Sequence, residues 1–204
     1  MTQRFPAPSE TSSRSPRGLR ELVRSDLARY AETYRLRGEP YSKRKVFWES
    51  LLFKAGFQAV FLYRLSHWLF GKGWTYLAWG SARLNVSLTG AEIEFNATIG
   101  RGFFIAHPVG IVIGRGTEIG EGATLFQGVS FVAKSWHPDE ICRFPKIGNH
   151  CYFFSHAGVV GPVTVVDYCV VAAQAVVTKD LPSGSLAKGV PAQIYPNEGR
   201  AAIA

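Results

Sequence analysis

The sequence predicts a mainly β protein: a parallel β-helix of hexapeptide repeats behind an N-terminal α-helical segment. Three observations predict it. Large apolar residues recur every six positions through most of the second half of the chain. Small residues hold the place four after them. Ahead of that region the apolar residues fall instead at the 3.6-residue spacing of helices.

Taken in order, the chain opens with MTQRFPAPSETSSRSPRG, which lacks the apolar stretch of a signal peptide. Residues 1–16 are expected to be a disordered tail. Ser15-Pro16 offers an N-cap followed by proline at the first helical position. Leu19, Leu22, Val23, Leu27 and Tyr30 then follow at helical spacing, and Gly38 and Pro40 stop that helix. A second helix is predicted from near Ser42 to about Phe70 and is strongly apolar. Glu49, Lys54 and Arg64 interrupt it, which argues against a membrane span. Its apolar surface suits a partner subunit, with peripheral membrane contact as the second option. Residues 17–84 thus read as a helical N-terminal region.

From Ile93 the period changes. Ile93, Ile99 and Ile105 are six apart; so are Ile113, Ile119, Leu125 and Phe131; so are Ile147, Phe153, Val159, Val165, Val171 and Val177. A six-residue beat is a solenoid beat, three hexapeptides making one triangular coil of about eighteen residues. The aliphatic residue points inward and stacks on its counterpart one coil later. The small residue lets the chain turn a corner. The β-helix is expected over residues 85–196, interrupted by a loop at 132–146 and followed by a tail at 197–204. Cys151 and Cys169 share the inward register one coil apart and read as small core residues.

Composition narrows the function. The 204 residues are 47% hydrophobic and 19% charged, with a net charge of +8. Lys and Arg are weighted toward the first 83 residues without a nucleic-acid motif around them, so no nucleic-acid partner is expected. A phosphate-rich cofactor or an anionic membrane surface fits the charge better. The three cysteines form no CxxC pair, which suggests a reducing, cytoplasmic compartment, up to the inner face of the membrane. No metal site is expected: His150 and His156 hold the same place in consecutive hexapeptides and so point from different faces of the prism.

One break in the beat stands out. Between Ile105 and Ile113 the period slips by two, and His107 sits in the slip, within FFIAHPVGIVIG. Extra residues make a bulge, and a bulge re-aims a side chain. The segments YRLSHWLF, LTGAEI, ATIGRGFFIAHPVGIVIG, LFQGV, RFPKIG and VVTKDLPSGSLAKGVPAQI together resemble the serine O-acetyltransferases of the hexapeptide-repeat acyltransferase superfamily. The resemblance covers about Tyr63 to Ile194. It implies a left-handed coil, a homotrimer with sites between neighbouring β-helices, and acetyl-CoA as co-substrate. It makes His107 the catalytic base and Glu92, in TGAEI, its carboxylate partner. Such a pair works like a Ser-His-Asp triad whose serine is replaced by the acceptor's hydroxyl. It also implies cofactor contacts at Ser155 and Ala173, and Lys188 near the nucleotide phosphates.

The chain departs from the family around the acceptor. Ala106 stands where Asp usually precedes the histidine, and Phe144 where His usually follows Arg143. Asp can pair with a serine ammonium, and Arg can hold its carboxylate. Arg143, Phe144, Trp136 and His137 are the candidate acceptor contacts. The aromatic pair favours a sugar or glycan hydroxyl, as in cell-surface or exopolysaccharide biosynthesis, over the alternative, serine acetylation in cysteine biosynthesis. A catalytically silent trimeric scaffold and a β-helical metal enzyme are the readings outside this class.

Overall fold

The computed structural model describes residues 18–36, 42–134 and 143–203. Four helices come first: α1 (Leu19–Leu36), α2 (Lys43–Phe53), α3 (Ala55–Gly71) and α4 (Thr75–Thr89). The remainder winds as a parallel β-helix whose two- and three-residue strands stack into three faces. The first face is Glu92–Ile93, Val112–Ile113, Ser130–Val132, Gly158–Val160 and Val176–Val177. The second is Thr98–Ile99, Glu118–Ile119, Lys146–Ile147 and Thr164–Val165. The third is Phe104–Ile105, Thr124–Leu125, Tyr152–Phe153, Val170–Val171 and Leu186–Lys188, closed by the antiparallel strand Gln193–Tyr195.

The six-residue beat is the packing rule of this core. On the first face Ile93 lies opposite Ile113, Ile113 opposite Phe131, Phe131 opposite Val159, and Val159 opposite Val177. Every residue at the six-residue beat, from Ile93 to Val177, is buried, as are Ala97, Thr117, Ala123, Ala157 and Ala175 at the corners. Cys151 and Cys169 are buried free thiols in the same register. The tail at 1–16, Gly38, Pro40 and Cys142 lie outside the described residues.

The long second helix predicted from Ser42 to Phe70 is two helices. Ser42 does cap the first, accepting the Lys45 N–H at 3.2 Å. The break falls at Lys54, where the backbone is extended. Gln58 Nε2 donates to the freed carbonyls of Leu51 and Leu52, at 2.8 and 3.2 Å. The reason for the break is contact: α3 lies so close to the β-helix that a Cβ on Gly56 would strike the Ile105 carbonyl oxygen. One straight helix could not both make that approach and leave α2 beside α1. The fourth helix goes beyond the two that the periodicity indicated. Among the described residues no helix is long and apolar enough to cross a membrane.

The first coil has no coil beneath it, so its backbone would present unpaired groups. Side chains from α1 and α3 take them up. Asp26 and Arg64 are both buried and form a two-pronged pair at 2.8 and 3.1 Å. Arg64 also donates to the carbonyls of Ile99 and Gly100, and Asp26 accepts the Phe103 N–H at 2.9 Å. Tyr30 donates to Ile105 O at 2.9 Å, Tyr63 to Ala97 O at 2.8 Å, and the Gly102 N–H donates to Ser25 Oγ at 3.1 Å. Burial pushes the Asp26 carboxyl up, while Arg64 and the Phe103 N–H pull against it.

Breaking such a pair leaves a buried charge uncompensated. Arg64→Met is therefore expected to cost about 3–5 kcal/mol in urea unfolding; a loss under about 1 kcal/mol would mean the pair is not what seats the helices. His67 gives a pH test. Its Nδ1 lies 2.8 Å from Phe95 O, and burial lowers its pKa below the ordinary 6.5. The unfolded chain then binds the proton more readily, so this contribution is complete above pH 6.5 and lost as pH falls below it. The urea midpoint of the wild type should fall more steeply from pH 7.5 to 5.5 than that of His67→Gln; parallel curves would remove His67 from the account.

Candidate active site

Each coil turns from the third face to the first at one corner, and the corners stack into an edge. Gly110 N donates to Gly90 O at 3.0 Å, Gly128 N to Val109 O at 3.0 Å, His156 N to Gln127 O at 2.8 Å, Gln174 N to Ser155 O at 2.9 Å and Val176 N to Gly189 O at 3.0 Å. This edge carries, from bottom to top, the loop of His107, then Gln127, Ser155, Ala173 and Gly189, and Lys188 ends the third-face strand just before it. His107, Ser155 and Ala173 therefore lie on the edge itself, Lys188 ends the strand just before it, and Glu92 opens the first strand just beyond it.

The two extra residues sit in this edge. The chain takes eight positions from Ile105 to Ile113 where neighbouring coils take six. Ile111 N donates to Pro108 O at 3.1 Å, closing a turn that leaves Pro108 and Ile111 buried. His107 and Val109 are left standing out, both exposed. The bulge thus costs no core residue: Ile105 and Ile113 remain wholly buried on either side. Glu92 is exposed one coil below, in the strand paired to Val112. Among the described residues no hydrogen bond joins Glu92 to His107. Ser155 is half-buried, and Ala173 and Lys188 are exposed; the Lys188 ammonium lies 4.3 Å from the centre of the Tyr195 ring.

The acceptor candidates lie elsewhere. Arg143 and Phe144 come at the corner between the first and second faces, just before Lys146–Ile147. Arg143 is exposed. The Phe144 ring rests on Gly114, where any Cβ would collide with it, so one side of the ring is taken up by its own chain. Within one chain these residues and His107 stand at opposite edges of the first face and are not brought together. Trp136 and His137 lie outside the described residues.

A cleft that the residue pattern did not single out opens between the helices and the corner at residues 94–96. Phe70, Trp79 and Phe95 wall it, with Glu94, Asn96 and Arg115 at its polar end. Burial raises the Glu94 carboxyl, the nearby Glu92 charge adds to the rise, and Arg115 opposes it. Residues 94–96 look like any other corner in the repeat, so spacing carried no signal of it. Among the described residues no three His, Cys, Asp or Glu side chains converge as metal ligands would.

No protein-family model matches the sequence. The chain is 38% identical over 158 residues to the serine acetyltransferase of Helicobacter pylori strain J99, spanning 78% of this chain and 90% of that one. Soybean serine acetyltransferase complexed with serine superposes with a TM-score of 0.76 at 25% identity, over 87% of this chain and 69% of that one. A serine acetyltransferase in complex with CoA gives 0.70 at 27% identity, over 85% and 69%. The fold is the left-handed parallel β-helix with an N-terminal helical segment.

Proposed function

The chain belongs to the serine acetyltransferase family, and from that premise we propose that it moves the acetyl group of acetyl-CoA to the hydroxyl of serine. It is an acetyl-CoA-dependent O-acyltransferase. The observation that carries the serine reading is the 38% identity to a serine acetyltransferase across nine-tenths of that relative's length. The preference for a sugar or glycan acceptor, drawn from Ala106, Phe144 and Trp136, finds no support among the relatives, and neither polysaccharide biosynthesis nor membrane contact does. Phe144 also loses much of its force as a sugar platform, because Gly114 already covers one side of its ring.

In this reading His107 is the general base. It takes the proton from the serine hydroxyl as that oxygen bonds to the thioester carbonyl carbon. The tetrahedral adduct then collapses, the C–S bond breaks, and the proton goes from the imidazolium to the departing CoA thiolate. Glu92, one coil below, steadies the imidazolium and holds its tautomer. The exposed crest of the bulge suits this role, since an imidazole that must reach a substrate cannot be packed. Acetyl-CoA lies along the edge that carries Ser155, Ala173 and Lys188. Arg143 takes the serine carboxylate by a two-pronged contact. Since His107 and Arg143 stand at opposite edges of one face, the working site is built between two copies of the chain, in a homotrimer.

The test is CoA release from acetyl-CoA with L-serine and, in parallel, with sugars and sugar nucleotides. Serine-dependent release is expected, falling by about 10²-fold or more in His107→Ala. Release with a sugar and not with serine would restore the glycan reading, and no release with either would leave a scaffold.

A further inference from the structure

Four residues hold the same place at the corner between the third and first faces: Gly110, Gly128, His156 and Gln174. All have positive φ, at 76°, 70°, 61° and 61°. Glycine takes that conformation freely, whereas a residue with a Cβ is strained in it. The two lower coils use glycine. The two upper coils place a large polar side chain there and leave it exposed. Strain kept where glycine would remove it points to a use for the side chain.

His150 is a useful contrast. It has the same conformation, φ 54°, at the corner between the second and third faces, and its ring is stacked on Tyr168 at 5.3 Å and 13°. Packing accounts for it. His156 has no such ring partner and no side-chain hydrogen bond among the described residues. Its imidazole lies over Gly128, where a Cβ would strike its Nδ1, as the His150 ring lies over Gly122. Gly128 in turn bonds Val109 in the bulged loop. The imidazole is therefore held on the edge between Ser155 and the loop of His107.

We propose that His156 is a cofactor-contacting residue, its ring hydrogen-bonding the pantetheine arm of acetyl-CoA where the arm nears the thioester. This rests on the acetyl-CoA reading of the edge. A neutral imidazole presents one donor and one acceptor, and the amides of the arm present both complements. The lower coils, with glycine at this corner, offer no side chain for the purpose.

The experiment is calorimetric titration of the full chain with CoA, for wild type, His156→Gly and His150→Gly. Each glycine removes a ring and the strain with it, so the melting temperature should hold or rise in both. His156→Gly is expected to weaken CoA binding about five- to tenfold, and His150→Gly to change it by less than about twofold. Wild type binding CoA with His156→Gly equal to it would overturn this inference and leave the acetyltransferase reading standing. Equal weakening in both variants would overturn it too, since the effect would then be general. Wild type failing to bind CoA would overturn both.

Discussion

A stack of coils has two ends, and the lower end of this one would leave backbone polar groups facing nothing. The Asp26–Arg64 pair answers that constraint, and the helical region is arranged around it. Arg64 reaches two carbonyls of the first coil while Asp26 holds one of its N–H groups, so a single buried pair ties α1 and α3 to the same coil. A buried charge pair is tolerable only when its remaining hydrogen-bonding positions are filled, and here the β-helix backbone fills them. The close seat of α3, the glycine at 56 and the break at Lys54 follow from bringing Arg64 down to that edge. Without the cap the first coil would be a free strand edge, and Glu92 and the loop above it would lose their support.

The candidate site depends on the same regularity in a different way. Corners stack because coils stack, so residues far apart in sequence line up along one edge: His107, Ser155 and Ala173 are brought into a column by nothing more than register, with Lys188 at the end of the strand beside it. The bulge at His107 exploits the rigidity of that column. Inward residues on either side keep their places, Pro108 and Ile111 fold back into the wall, and only the exposed crest changes direction. A β-bulge re-aims a side chain without disturbing the core, which suits a base that must meet two substrates.

Much of this was legible in the residues. The beat of six named the inward residue of every strand from Ile93 to Val177, because each short strand turns one large residue into the prism; Phe103 and Ile111, just as deeply buried at the corners, fall outside it. The slip between Ile105 and Ile113 marked His107 for the same reason. The acceptor was less legible. Ala106, Phe144 and Trp136 point to a sugar only if each side chain is free to meet a ligand. Phe144 is partly occupied by Gly114, thirty positions earlier, a contact that no spacing announces. The Glu94–Asn96–Arg115 cleft was hidden as well, since it is closed by Phe70 and Trp79 from helices whose docking the repeat does not encode.

By itself, then, the sequence determined the winding, the inward and outward residues and the position of the bulge, because these follow from local period and side-chain size. It did not determine that α2 and α3 would part at Lys54, which carbonyls Arg64 and Tyr63 would cap, that the imidazole of His156 would lie over Gly128, or that Arg143 and His107 would stand at opposite edges of one face. Those were decided by the tertiary structure, because each depends on how far apart two separately formed elements come to rest.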